Sequence, residues 1–179
     1  MSDSRHFSIP LKGERVGFRG FTLIELVVVM ALIAIMMALA IPNLQHILTD
    51  DTRKASQWIL VQVPRLKSRA VSEGKIYTLH ADMDGNMLWI SNDGMSDEEL
   101  SQAKKKGFAL SDSIFLLDVT YADGDIIDSG EASIRFYPKG YSDMVILHLG
   151  ENNGNKRSFL IEPFLSQVEL KEEYVDFEG

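Results

Sequence analysis

Four histidines are the first place to look for catalysis or metal binding in this chain: His6, His46, His80 and His148. No two of them stand at the spacing that lets one helix face offer two imidazoles to a zinc ion. There is no cysteine, so thiolate chemistry, disulfides and thiolate metal sites are excluded. A Gly-x-Ser-x-Gly nucleophile turn is also missing. Gly150-Glu151-Asn152-Asn153-Gly154-Asn155-Lys156 has the glycines and lysine of a phosphate-cradling loop, but Lys does not follow Gly154 directly, and the segment reads as a hairpin turn. Two acidic loops carry oxygens suited to calcium. Asp82-Met83-Asp84-Gly85-Asn86 lacks the glycine placement and distal glutamate of an EF-hand loop. Asp123-Gly124-Asp125 with Asp128 clusters carboxylates without a fixed ligand pattern. Both read as solvated turns. His80 and His148 fall in strand-like segments and read as half-buried residues. No metal, other cofactor or enzymatic activity is expected from these residues.

One further ionisable residue stands where it should not. Glu25 interrupts Phe21-Thr22-Leu23-Ile24-Glu25-Leu26-Val27, the start of an apolar run that lasts from Phe21 to Ile41. At about 1.5 Å per residue such a helix reaches roughly 30 Å, the thickness of a bilayer's hydrocarbon core. A carboxylate there is costly unless it has a partner. The charge around the run sets a direction. The first 20 residues hold Arg5, Lys12, Arg15 and Arg19 against Asp3 and Glu14, which leaves −10 on residues 21–179 out of a net −8 for the chain. Basic residues ahead of an apolar span predict a cytoplasmic N-terminus and an exported body. A secretory signal peptide cut at Ala38-Leu39-Ala40 is the rival reading, but its apolar core would exceed the usual length and contain Glu25. An ordinary single-pass anchor explains the hydrophobicity and leaves Glu25 unexplained.

Gly20 followed by Phe21-Thr22-Leu23-Ile24-Glu25, behind a basic leader and ahead of an apolar helix, resembles the type IV prepilin processing motif. The resemblance implies cleavage by a prepilin peptidase between Gly20 and Phe21, and N-methylation of Phe21. It implies an assembly role for Glu25, which would pair with the N-terminal amine of a neighbouring subunit. It also implies a helix kink at Pro42, and location first in the inner membrane, then in a filament of other pilins or pseudopilins.

The elements behind this segment follow from periodicity. Leu44, Leu48, Ala55, Ile59, Leu66 and Ala70, widened by Trp58 and Val63, recur at helical spacing and predict a helix continuing to about Ser72. Arg53, Lys54, Gln62, Lys67 and Ser68 would face water, and Pro64 predicts a bend or break. From Gly74 the pattern turns to strands. Residues 76–80 and 87–90 flank a hairpin turn at Asp84-Gly85-Asn86. Ser96 and Glu99 form a capping box for a short helix that ends in three lysines at Gly107. Strands are expected at 114–120, 132–137, 144–149, 158–161 and 168–174. The resulting class is α+β: a long N-terminal helix, transmembrane then amphipathic, packed on an antiparallel β-sheet head. The expected divisions are a cleaved leader (1–20), a transmembrane helix (21–41), its amphipathic continuation (42–73) and a periplasmic head (74–179).

Ser68-Arg69-Ala70-Val71-Ser72-Glu73-Gly74 and, later, Ile134-Arg135-Phe136-Tyr137-Pro138-Lys139-Gly140 are similar to segments of the H-type minor pseudopilins of type II secretion and of FimT-type pilins. That resemblance implies a minor pseudopilin that helps assemble the filament or its tip, with a minor type IV pilus subunit for pilus assembly or DNA uptake as the alternative. The tail from Glu169 to Glu178 sets five acidic residues against Lys171 and reads as a solvated edge strand. Its sign disfavours nucleic acid as a partner.

Overall fold

The structure, a computed structural model, describes residues 23–177; within its first helix the side chains of residues 37–50 are not described. The chain divides into two compact units, Met1–Asn43 and Leu44–Gly179. Helix α1 (Leu23–Glu73) contributes to both. In the first unit every side chain from Leu23 to Met36 is exposed. Among the described residues no helix is long and apolar enough to cross a membrane; of the expected 21–41 span, only the side chains of 23–36 are described. Gly20 and Phe21 lie outside the described residues, and Pro42 falls among the undescribed side chains.

In the second unit α1 buries Ala55, Ile59, Val63, Leu66 and Ala70, one face at helical spacing. Pro64 does not break it: α1 runs on to Glu73. An interior proline costs roughly 3 kcal/mol, and burial of Ile59, Val63 and Leu66 at roughly 1.5–3 kcal/mol each exceeds that. Gly74, at φ +66°, then ends the helix in the left-handed conformation. Lys67 corrects a second expectation. It is buried, with Nζ donating to the carbonyls of Glu162, Pro163 and Leu165. Burial lowers its pKa, against the opposing pull of Glu162.

The strands are β1 (Tyr77–Asp82), β2 (Met87–Asn92), β3 (Phe108–Ala109), β4 (Ile114–Tyr121), β5 (Ile126–Ile127), β6 (Glu131–Phe136), β7 (Val145–Glu151), β8 (Lys156–Ile161) and β9 (Glu169–Lys171). They form two antiparallel sheets instead of one, ordered β3-β2-β1-β6 and β5-β4-β7-β8-β9. Inward side chains of both sheets share one core with α1, including Tyr77, Leu79, Ile134, Phe136, Val119, Leu147 and Phe159. Helix α2 (Asp97–Lys105) starts at the expected Ser96–Glu99 capping box.

A β-bulge interrupts β4 between Leu116 and Asp118. Ile114 and Leu116 belong to the core, and so does Val119. The extra residue shifts the alternation by one, so that Asp118 and Thr120 turn to the other face. There Asp118 lies opposite His148 of β7, which lies opposite Ser158 of β8. The expected last strand is also shorter. Only Glu169–Lys171 pairs, with β8, and the chain beyond it crosses the outer face of the second sheet.

Candidate functional site

Glu25 lies in the first described turn of α1 and its side chain is exposed. Its neighbours are bare: Leu23 is 82% and Ile24 71% exposed. An exposed acid on an exposed apolar helix suits association with other apolar helices through one charged contact.

The head brings together two constellations, each centred on a histidine. On the first sheet His80 stacks on Trp89, its cross-strand partner, at 3.7 Å between ring centres and 8° between planes. Its Nδ1–H donates to Glu131 Oε1 at 2.9 Å, and Nε2 lies 2.8 Å from Ser91 Oγ. Glu131 Oε2 also accepts from Trp89 Nε1 at 3.0 Å and from Lys104 Nζ at 2.9 Å. Lys104, from α2, reaches Asp82 as well, at 2.8 Å. Burial pushes the His80 pKa down, opposed by the Glu131 carboxylate. Burial alone would raise Glu131, but hydrogen bonds from Lys104 and Trp89 and the charge of His80 hold it below its ordinary value. The Lys104 hydrogen bond does the same for Asp82, and the two carboxylates raise Lys104.

On the second sheet His148 is completely buried. Its Nδ1 lies 2.6 Å from Asp118 Oδ1 and its Nε2 2.8 Å from the Val175 carbonyl oxygen. Tyr174 stacks on the imidazole at 4.0 Å and 17°. Its hydroxyl donates to Asp118 Oδ2 at 3.2 Å, and Thr120 Oγ1 donates to Oδ1 at 3.1 Å. Ser158 Oγ donates to the Glu173 carbonyl at 2.7 Å and accepts from Val175 N–H at 3.0 Å. The Ser158 hydroxyl is thus committed to the tail, and the two ring nitrogens of His148 face Asp118 and the Val175 carbonyl.

The acidic loops do not build a metal site. Asp82 Oδ1 caps its own turn by accepting from Gly85 N–H, and Asp84 accepts from Gly130 N–H. Asp123 and Asp125 line a shallow cleft of about 580 Å³ with Glu131, Arg135 and Asp143. Among the described residues no three His, Cys, Asp or Glu side chains are placed to hold a metal ion. His6 lies outside the described residues, and the side chain of His46 is not described.

The His80–Trp89 pair was within reach of the sequence, since a hairpin closing at Asp82 and Met87 places 80 opposite 89. Glu131, Lys104, Asp118 and Tyr174 arrive from distant segments, and only the doubled Leu116-Leu117 before Asp118 hints at the bulge.

No curated protein and no solved structure matches this chain. Residues 16–41 match the family model described as the prokaryotic N-terminal methylation motif. That motif is typical of inner-membrane-anchored precursors that are cut by a prepilin peptidase and assemble with other pilins, and its presence around Glu25 supports a pilin-like family for this chain.

Proposed function

We propose that the chain is an H-type minor pseudopilin of a type II secretion system, a non-enzymatic subunit that helps assemble the pseudopilus or its tip for protein export across the outer membrane. The observation that carries this reading is the methylation motif over residues 16–41, with Glu25 as the one acid in its apolar run. In this reading a prepilin peptidase cuts between Gly20 and Phe21, and Phe21 is then N-methylated. Residues 21–41 hold the subunit in the inner membrane, single-pass, with the head in the periplasm. Glu25 pairs with the N-terminal amine of a neighbouring subunit, which lowers the cost of holding a carboxylate in lipid. The turn at Tyr137-Pro138-Lys139-Gly140, closed by Gly140 N–H donating to the Tyr137 carbonyl, supports the H-type assignment through the resemblance of that segment.

The N-terminus of the membrane-fraction protein tests the processing step. N-methylated Phe21 is expected, and Ile41 would overturn the reading in favour of a secretory signal peptide. Replacing Glu25 with Ala should leave cleavage intact and reduce incorporation into filaments; undiminished incorporation would remove the pairing argument. Deleting the gene should trap secreted enzymes in the periplasm. Normal secretion with lost piliation or DNA uptake would instead assign the subunit to a type IV pilus of the FimT type.

A further inference from the structure

The segment after β9 is held to the second sheet by side chains, not by strand pairing. Asp118, His148 and Ser158 stand in one row across β4, β7 and β8. They face away from the core, yet are 8%, 0% and 0% exposed. Residues Glu173–Val175 cover them and satisfy their outward polar atoms.

The central hydrogen bonds impose a condition. As a carboxylate, Asp118 offers Oδ1 as an acceptor only, and so does the Val175 carbonyl. Each is within bonding distance of one nitrogen of the same ring, at 2.6 and 2.8 Å. A neutral imidazole has one N–H and one lone pair, so it can donate to one of these oxygens and must oppose the other. Both bonds form together only when both ring nitrogens carry hydrogen. The titratable groups in contact with the ring are Asp118 on β4 and Tyr174 on the tail; Asp176 acts on Tyr174. Lys156 Nζ stands over the Tyr174 ring, 5.1 Å from its centre and on a different ring from the imidazole. Burial, together with the charge of Asp118, raises the Tyr174 pKa, so its hydroxyl keeps its proton and remains a donor to Asp118. Arg157 is engaged by Glu151 and Glu172.

We propose that Asp118, His148 and Ser158 form a proton-operated latch for the C-terminal segment 172–177, closed when both nitrogens of the His148 ring carry hydrogen and loosened when one of them is lost. Of the two bonds, the one to Val175 gives way. Asp118 is anchored within β4 and held by Thr120 and Tyr174, whereas the Val175 carbonyl belongs to a segment without strand pairing. The latch therefore opens toward alkaline pH. It uncovers a polar row whose shape already fits an extended backbone. This inference does not depend on the filament reading.

The test is made on the full chain in detergent. Amide hydrogen exchange of residues 173–177, corrected for the intrinsic pH dependence, is measured from about pH 5 to about pH 8, the interval in which histidines change charge. Ring-nitrogen NMR of His148 is followed in the same samples. Protection at Val175 should fall about tenfold or more, the scale of losing one hydrogen bond to a charged group, with the same midpoint as the loss of one ring proton. A ring that keeps one protonation form throughout, or tail opening at a different midpoint, would overturn the latch. His80→Gln should leave the tail profile unchanged; a shift of the profile would assign the effect to the other histidine and overturn the proposal. His148→Gln should give exchange that no longer varies with pH. If that variant fails to fold, the paired midpoints of the parent chain still decide the question.

Discussion

His80 and His148 differ less in what lies above and below their rings than in what lies at the second nitrogen. Each is stacked on an aromatic side chain, and each donates Nδ1–H to a carboxylate. Ser91 Oγ, at His80 Nε2, can donate as well as accept, so the neutral ring satisfies both of its contacts. A backbone carbonyl, at His148 Nε2, can only accept. One hydroxyl against one carbonyl thus separates a ring at ease when neutral from one that needs two hydrogens for the same number of bonds. The carboxylates differ too. Glu131 is shared with the half-exposed donor Lys104 near the surface, while Asp118 collects His148, Thr120 and Tyr174 under the tail.

The largest effect should come from Asp118→Ala. It leaves a buried imidazole N–H and two hydroxyls without their acceptor, and about 3 kcal/mol of stability should be lost in denaturant unfolding. A loss no larger than that of a surface substitution would mean that the buried site relaxes freely. Glu131→Gln keeps the shape of its site but weakens the contacts to Lys104 and His80. Because that site is partly solvated, about 1 kcal/mol is expected; a cost matching that of Asp118→Ala would erase the contrast between the two centres.

Acid supplies a third probe. The folded state lowers the His80 pKa, so the unfolded chain takes up the proton first as pH falls. The neutral ring's contribution is therefore full above the ordinary histidine pKa and is lost on acidification from that value down to the lowered one. His80→Gln should flatten that limb of the stability curve, and an unchanged limb would remove burial as the dominant influence on this ring. The smallest effect is expected for Ser91→Ala, about 0.5–1 kcal/mol for one hydrogen bond lost at a partly covered site. His148 has no counterpart to this test, since its second partner is main chain.

The N-terminal end and the head were legible in the sequence to different degrees. Gly20, Phe21 and Glu25 stand out because a charge inside an apolar run is chemically anomalous wherever it occurs, and residues 16–41 carry the matching motif. In the head, local signals held: the capping box at Ser96 and Glu99 and the hairpin at Asp84-Gly85-Asn86 are both present. Non-local features did not show. The division into two sheets depends on β4 pairing with β7, some thirty residues away, and β3 and β5 have only two residues each. Lys67 was assigned to water by its charge, but its long stem lets the ammonium reach three carbonyls from a buried position. Pro64 reads locally as a bend or a break; the break is absent because α1 continues to Glu73, with Ile59, Val63 and Leu66 buried on either side.

The bulge at Leu117 makes the length of β4 a matter of parity. Were all eight residues of β4 regularly paired, Asp118 would share the inward phase of Ile114 and Leu116 and carry a carboxylate into the aliphatic core. Deleting Leu117 would join Leu116 directly to Asp118, restore a regular ladder and keep Asp118 opposite His148. Adding one residue between Ile114 and Leu116 would instead reverse Ile114. The phase on each side of Leu117 is thus set by the partners on β7, and the strand can lose its odd residue where it cannot gain a second one.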